Sequence, residues 1–250
     1  MRLYIIALQF LTIIPLPFTV RCEERDLGRS MTFFPAVGLT LGLLLMGMNF
    51  LLTPLFPRSV TDLLLLALLA GLTGALHLDG LADVFDGLAA RGGRERFLDV
   101  MKDSRCGPVG AAALAFFLLL KYEALLAVPD QQKGAALLLF PLLGRYAQVQ
   151  CTVKATRARN DGLGSTFIGG AGTLQLLAAL AMTVGLSVFL FGVNGLWLCG
   201  GTSLLTWLLR RWAHRRLGGI CGDIIGFTCE LTETAALLLM VALYRQGSFG

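Results

Sequence analysis

Charge is scarce in this chain of 250 residues: only 15% of them are Asp, Glu, Lys or Arg. A soluble domain of ordinary composition carries about 25%, so there is too little charge here to cover the surface of a soluble enzyme. Histidine is scarcer still, with two in the chain, and neither has a Ser or Cys partner in a triad pattern. The six cysteines (Cys22, Cys106, Cys151, Cys199, Cys221 and Cys229) contain no CxxC pair and no metal-ligand spacing, so half-buried reduced thiols are expected. No Walker A loop is present, which argues against an ATPase. Internal repeats and low-complexity linkers are missing too.

What the chain has in abundance is apolar surface. Hydrophobic residues make up 56% of it, its mean hydropathy is +0.73, and there are 30 glycines, which membrane helices tolerate. Such a composition is too apolar for the alternating strands of an outer-membrane barrel. It predicts an all-α fold: one polytopic integral membrane helix bundle filling residues 1–250 as a single domain. A spanning helix needs about 20 apolar residues. Runs at 31–52, 61–78, 110–126, 135–153, 174–191, 193–209 and 224–244 give about seven transmembrane helices. A further run at 3–18 is interrupted by Pro15 and Pro17 and lacks a small-residue cleavage site, so a retained anchor or re-entrant segment is expected rather than a signal peptide.

The net charge of +5 and pI near 9.1 then describe orientation and not nucleic-acid binding. Connections at 21–30, 79–109, 154–173 and 210–223 carry 15 of the 21 Lys and Arg, whereas the alternate connections carry only Arg58, Lys133 and Arg245. This strict alternation is a positive-inside signal that turns the four basic loops to the cytoplasm. Thirteen of the 16 acids fall on that same side, so a cytoplasm-facing acidic active site is expected.

The acids concentrate in His77-Leu-Asp79-Gly-Leu-Ala-Asp83-Val-Phe-Asp86-Gly. At about 100° per residue, Asp79, Asp83 and Asp86 share one helix face within roughly 60°. Like charges at that spacing oppose helix formation, and no Lys or Arg stands among them, so a compensating cation is expected. A second pair, Asp99 and Asp103, follows at the same spacing. Oxygen ligands without His or Cys select hard divalent ions, Mg²⁺ or Mn²⁺, and two such faces suit two ions across a substrate phosphate. Arg91, Lys102 and Arg105, beside the carboxylates, suit the oxygens of a pyrophosphate; Arg94 and Arg96 read as topology signals or lipid contacts. His77 is expected either to touch phosphate or to orient Asp79. Arg145 lies inside an apolar run, where it serves either a buried acid or a substrate group. Lys121, with Glu123 two residues on, is expected to snorkel, and His214 to lie on the surface.

Asp83-x2-Asp86-Gly87-x2-Ala90-Arg91 followed by Asp99-x3-Asp103 resembles the signature of the CDP-alcohol phosphotransferases, although Glu95 stands where that signature has Gly. More of the chain is similar to the cobalamin synthase family, that is, adenosylcobinamide-GDP ribazoletransferase or cobalamin-5′-phosphate synthase. The resemblance is carried by His77 to Asp83 with Asp86-Gly87, by Met101-Lys102-Asp103-Ser104-Arg105 with Gly107 and Gly110, and by Gly162-Leu163-Gly164. It continues through Leu217 to Asp223, and Glu230-x2-Glu233. Residues 8–12 and Phe34-Pro35-Ala36-Val37-Gly38 agree as well. This resemblance implies an Mg²⁺-dependent transferase of the bacterial cytoplasmic (inner) membrane. Its substrates would be adenosylcobinamide-GDP and α-ribazole or α-ribazole 5′-phosphate, and GMP would be released. Asp79, Asp83, Asp86, Asp99 and Asp103 are then the expected metal ligands, with Asp83, Asp86 and Asp103 catalytic and Asp103 the candidate general base. His77, Arg91, Lys102, Arg105, Arg145, Asp223 and Glu230 are the expected substrate contacts, the last two suited to a guanine edge. Arg157 with Gly162 and Gly164 is a candidate nucleotide or ribazole loop. A lipid bilayer and a homo-oligomer complete the expected partners, with no nucleic acid. The competing readings are a phospholipid CDP-alcohol phosphotransferase and a carboxylate-lined cation transporter.

Overall fold

The computed structural model describes residues 1–17, 20–103, 105–159 and 163–245. Ser104 and Gly162, both part of the expected motifs, and Phe18, the end of the first apolar run, lie outside the described residues. Among the described residues twelve α-helices follow one another: α1 (Arg2–Leu11), α2 (Glu24–Ser30), α3 (Phe34–Leu52), α4 (Arg58–Leu72), α5 (Leu76–Ala89), α6 (Arg94–Val100), α7 (Pro108–Ala127), α8 (Asp130–Thr152), α9 (Leu163–Gly170), α10 (Thr173–Phe191), α11 (Val193–Leu217) and α12 (Gly222–Arg245). Among the described residues there is no strand, only an isolated bridge between Arg157 and Ile220. The all-helical expectation therefore holds.

Among the described residues four stretches are long and apolar enough to cross a membrane: Arg25–Leu52, Pro108–Ala127, Thr173–Phe191 and Gly222–Arg245. A fifth arises if α4 and α5 form one broken span, bent by 89°. The break has a local cause, since Gly74 and Ala75 both take left-handed backbone, with φ of 58° and 56°, and two such residues cannot continue a right-handed helix. Alone, α4 reaches only about 22 Å, short of a hydrocarbon core of about 30 Å. The other two expected segments, α8 and α11, are long, at 23 and 25 residues. Arg145, Gln148 and Gln150 in one, and Asn194, Thr202, Ser203 and Thr206 in the other, keep them outside the strongly apolar set. The first apolar run forms only the ten-residue α1, too short to cross.

The connections sort into two groups. Arg94 donates to the carbonyls of Leu217 and Ala158 at 2.6 and 2.8 Å, which ties together the basic loops at 79–109, 154–173 and 210–223. The remaining basic loop joins them where α2 packs on α9, the backbone of Gly28 lying against that of Gly170. Elsewhere, Arg58 reaches Asp130 at 2.6 Å and Lys133 reaches the fully buried Asp62 at 2.7 Å, so the two charge-poor connections on either side of α4 and α7 meet each other.

Inside the bundle, α8 packs most extensively on α3, and α12 on α5 and α8. Four charges are buried there. Lys121 of α7 donates to Glu230 at 2.5 Å and to Glu233 at 2.7 Å, both on α12, and the other oxygen of Glu233 takes a bond from Arg145 of α8. Their exposures are 4%, 7%, 1% and 1% for Lys121, Glu230, Glu233 and Arg145. Lys121 thus does not snorkel: two carboxylates inside the bundle hold it more strongly than a reach to the headgroups would. Glu123 is exposed as expected. His214 is half-buried and not a surface residue, because its ring bridges the Arg210 carbonyl at 2.8 Å and the Thr156 N–H at 3.3 Å. All six cysteines are free, four of them buried.

Removing one member of a buried ion cluster strands the others. Glu233→Gln should lower stability by about 3–5 kcal/mol, read as a fall in the thermal midpoint of the solubilised protein. An unchanged midpoint would contradict a structural role for the cluster.

Candidate active site

The acidic face of α5 is real, but its carboxylates do not share one chamber. Asp79 lies in the first turn of α5, where the helix N-terminus favours an acid. It is exposed and lines a cavity of about 180 Å³ together with His77, Gln148, Arg159 and Asp223. Asp86 lines a different concavity, an open groove of about 780 Å³ shared with Arg91, Arg96, Asp99, Asp103 and Arg105. Half-buried Asp83 stands between them and feels the charges of Asp79, Asp223 and Asp86, with Arg159 as counter-charge. Lys102 is exposed beside Asp103.

Close backbone contact makes this arrangement. A Cβ on Gly80 would fall 2.6 Å from the Asp223 carbonyl oxygen, so only glycine lets α12 bring Asp223 against the acidic face. Asp86 is fixed from the other side: it accepts the N–H groups of Gly107 at 2.7 Å and Gly110 at 2.8 Å, capping the first turn of α7. A Cβ on Gly107 would lie 2.5 Å from Asp86 Oδ1, and one on Gly110 would lie closer still to Oδ2. The two glycines of the expected motif are therefore seats for a carboxylate. Asp86 is consequently part helix cap, with each oxygen keeping a lone pair for a further partner.

Asp103 is paired with Arg105, whose guanidinium donates to both carboxylate oxygens at 2.9 and 2.7 Å and whose N–H adds a third bond at 3.1 Å. These bonds hold the Asp103 carboxyl down at about 2. Such a group is ionised throughout the neutral range and is a weak base.

Two expected substrate contacts lie elsewhere. Arg145 is spent on Glu233 and Glu230 on Lys121, both in the bundle interior. Of the two roles left open for Arg145, the structure shows the pairing with a buried acid. Glu230, expected at a guanine edge, is turned inward because Lys121 needs a counter-ion. His77 is 2% exposed, and neither ring nitrogen has a hydrogen-bond partner in the described protein, so it does not orient Asp79 by a direct bond. Arg157, a candidate for the nucleotide loop, lies against Gly169. Sequence reasoning missed Arg159, whose Nη2 meets Asp223 Oδ2 at 2.9 Å, and Gln148. No local spacing distinguishes Arg159 from Arg157, and Gln148 carries no motif.

The carboxylates on this surface offer oxygen donors, which suits Mg²⁺ in kind. Among the described residues no three His, Cys, Asp or Glu side chains are grouped closely enough to hold an ion by themselves. Mg²⁺ commonly takes one or two carboxylates and completes its shell with substrate phosphates and water, and the spread of these acids fits that habit better than a closed protein cage.

Residues 3–241 match the family model described as cobalamin-5-phosphate synthase. The chain belongs to the cobalamin-5-phosphate synthase family. A relative from Geotalea daltonii, called adenosylcobinamide-GDP ribazoletransferase, is 59% identical over 243 residues, covering 97% of this chain and 98% of that protein. Relatives with the same name from Pseudomonas fluorescens and Acetivibrio thermocellus are 42% and 37% identical, covering 96% and 92% of this chain and 98% and 93% of theirs. No solved structure matches. Membership in the cobalamin-5-phosphate synthase family leaves the phospholipid phosphotransferase and transporter readings without support.

Two outcomes follow for this family member. Gly110→Ala should displace the Asp86 carboxylate and cut turnover at least tenfold, roughly the effect of removing a hydrogen bond to a charged group, while a full-rate enzyme would show that the cap is dispensable. Arg105→Gln should return the Asp103 carboxyl towards about 3.9, read by carboxyl-carbon NMR. The depressed group keeps its charge-dependent contacts above about pH 4 and loses them as pH falls through the folded value, so a titration still near 2 in the variant would assign the depression to another group.

Proposed function

We propose that this chain catalyses the last joining step of the cobalamin nucleotide loop. It transfers the adenosylcobinamide phosphate of adenosylcobinamide-GDP to the 3′-hydroxyl of α-ribazole, or of its 5′-phosphate, and releases GMP. The observation that carries this reading is the acidic face of α5 set between two concavities, one open and flanked by arginines, the other narrower and largely apolar. In the reaction the ribazole oxygen forms a bond to the phosphorus next to the aminopropanol arm, the bond from that phosphorus to the bridging oxygen breaks, and the hydroxyl proton is lost. Positioning and charge neutralisation supply most of the catalysis in phosphoryl transfer.

Mg²⁺ is the proposed metal, held by Asp79, Asp83, Asp86 and Asp99 in some combination; when bound it would neutralise the diphosphate. Arg91 and Arg105, which line the open groove, and the neighbouring Lys102 bind diphosphate oxygens, and the groove's size suits one edge of the corrin better than the whole ring. Asp103, ionised and weakly basic, orients the attacking hydroxyl more than it stores the proton. Asp223, bound to Arg159, sits on the nucleoside side of the face.

The chain is proposed to cross the cytoplasmic membrane seven times, with α8 and α11 as the additional spans and α4–α5 as one broken span. Their polar groups support this, because Arg145, Gln148, Thr202 and Thr206 are buried inside the bundle and not turned outward, as polar residues in spanning helices are. The four basic loops then share the cytoplasmic end with the acids.

The decisive assay mixes the full chain with adenosylcobinamide-GDP, α-ribazole and Mg²⁺ and measures GMP. Release should require all three, and GMP formed equally well without ribazole would refute the transfer. Asp103→Asn should lower turnover by about 10²-fold or more while sparing adenosylcobinamide-GDP binding; lost binding would make Asp103 a metal ligand instead.

A further inference from the structure

The narrower cavity has a use that the transfer reaction does not by itself assign. Phe10 of α1, Phe34 of α3 and Phe167 of α9 wall it, with ring centroids 4.4, 5.7 and 6.3 Å apart in pairs. Met31 and Ile225 add to the apolar surface. Two neutral polar side chains also line it, His77 from α5 and Gln148 from α8, each only 2% exposed. Both nitrogens of His77 and the Oε1 of Gln148 are without a hydrogen-bond partner in the described protein. Orphaned buried polar atoms cost roughly 1–3 kcal/mol each, so an occupant that supplies hydrogen-bond partners to them is favoured in this cavity. The charged residues lie at the more open side: Asp79 is exposed, and the paired Arg159 and Asp223 are each 19% exposed at the side chain.

Shape and chemistry narrow the occupant. An apolar cavity of about 150 Å³ takes one benzene ring; this one, at about 180 Å³, takes a small flat aromatic and excludes a corrin. An anion is disfavoured, because the single arginine is already paired with Asp223 and Asp79 stands beside it. Guanine brings several donors and acceptors on its edges, and the two neutral groups would leave most of them without partners. A methylated benzimidazole presents apolar edges and one free ring nitrogen. An imidazole N–H can donate to that nitrogen, and Gln148 Oε1 can accept from a ribose hydroxyl.

We infer that this cavity, between α1, α3, α5, α8, α9 and α12, binds the benzimidazole base of the acceptor nucleoside, with Phe10, Phe34 and Phe167 as its walls and His77 and Gln148 as the groups that fix its orientation. The inference rests on the transferase reading above. It delivers the ribose to the mouth beside Asp79 and Asp223, so that the attacking hydroxyl emerges onto the acidic face of α5.

The test uses the full chain in lipid nanodiscs and has two arms. In the first, α-ribazole binding is measured by calorimetry without Mg²⁺ or adenosylcobinamide-GDP, and compared with the nucleoside of unmethylated benzimidazole. Each buried methyl group should strengthen binding roughly fourfold, a result that needs no variant to fold. In the second, Gln148→Leu should raise the KM for α-ribazole about fivefold and leave that for adenosylcobinamide-GDP unchanged. Binding indifferent to the methyl groups, or a rise in the adenosylcobinamide-GDP KM instead, overturns the assignment, the latter pointing to guanine. Methyl-sensitive binding with no GMP release would refute the transferase reading and leave the pocket standing. GMP release with neither effect would do the reverse.

Discussion

A lysine and an arginine inside a membrane bundle are tolerable only if carboxylates meet them there, and much of this fold follows from that requirement. Lys121 and Arg145 come from two different helices, α7 and α8, and both are answered by α12 through Glu230 and Glu233. The three helices are thereby held in one rotation and one register. With α12 fixed, its first turn must present Asp223 to α5, and Gly80 supplies the gap that lets the backbones close. The acidic face is thus assembled by charges that take no part in it.

This division of labour explains which parts were legible from the residues alone. The α5 face was visible because three aspartates at helical spacing with no intervening cation have few structural uses. The basic loops were visible because alternation is a property of order along the chain, and the structure gathers those loops at one place through Arg94 and the α2–α9 contact. Lys121 was misread because snorkelling and burial look alike in sequence: both place a long cation in an apolar run, and only the partners on α12 decide between them. Glu230 reads as a candidate substrate contact because its partner Lys121 lies 109 residues away in the chain. Arg159 and Gln148 were invisible because an ion pair across 64 residues and an unmatched amide in a helix interior leave no spacing to read. The splitting of the acids between two concavities was hidden as well, since it depends on Asp86 being drawn off to cap α7.

The separation has a chemical consequence. A transfer between two large substrates needs them to approach a common phosphorus from different sides. The open groove, with Arg91, Arg96 and Arg105, and the narrower aromatic cavity, with His77 and Gln148, present two unlike surfaces at either end of one short helix. Half-buried Asp83 is the carboxylate between them. The sharp turn at Gly74 and Ala75 makes α5 nearly perpendicular to α4, so the acids are carried by a segment that does not continue the α4 axis.

We propose that the α5 face becomes a cation site only when a diphosphate completes it. Mn²⁺ titration of the full chain, followed by electron paramagnetic resonance with and without adenosylcobinamide-GDP, tests it directly. Weak binding to the chain alone, tightened severalfold by the diphosphate and lost in Asp83→Asn, is the expected result. Mn²⁺ binding that ignores the diphosphate, or that survives undiminished in Asp83→Asn, would contradict it.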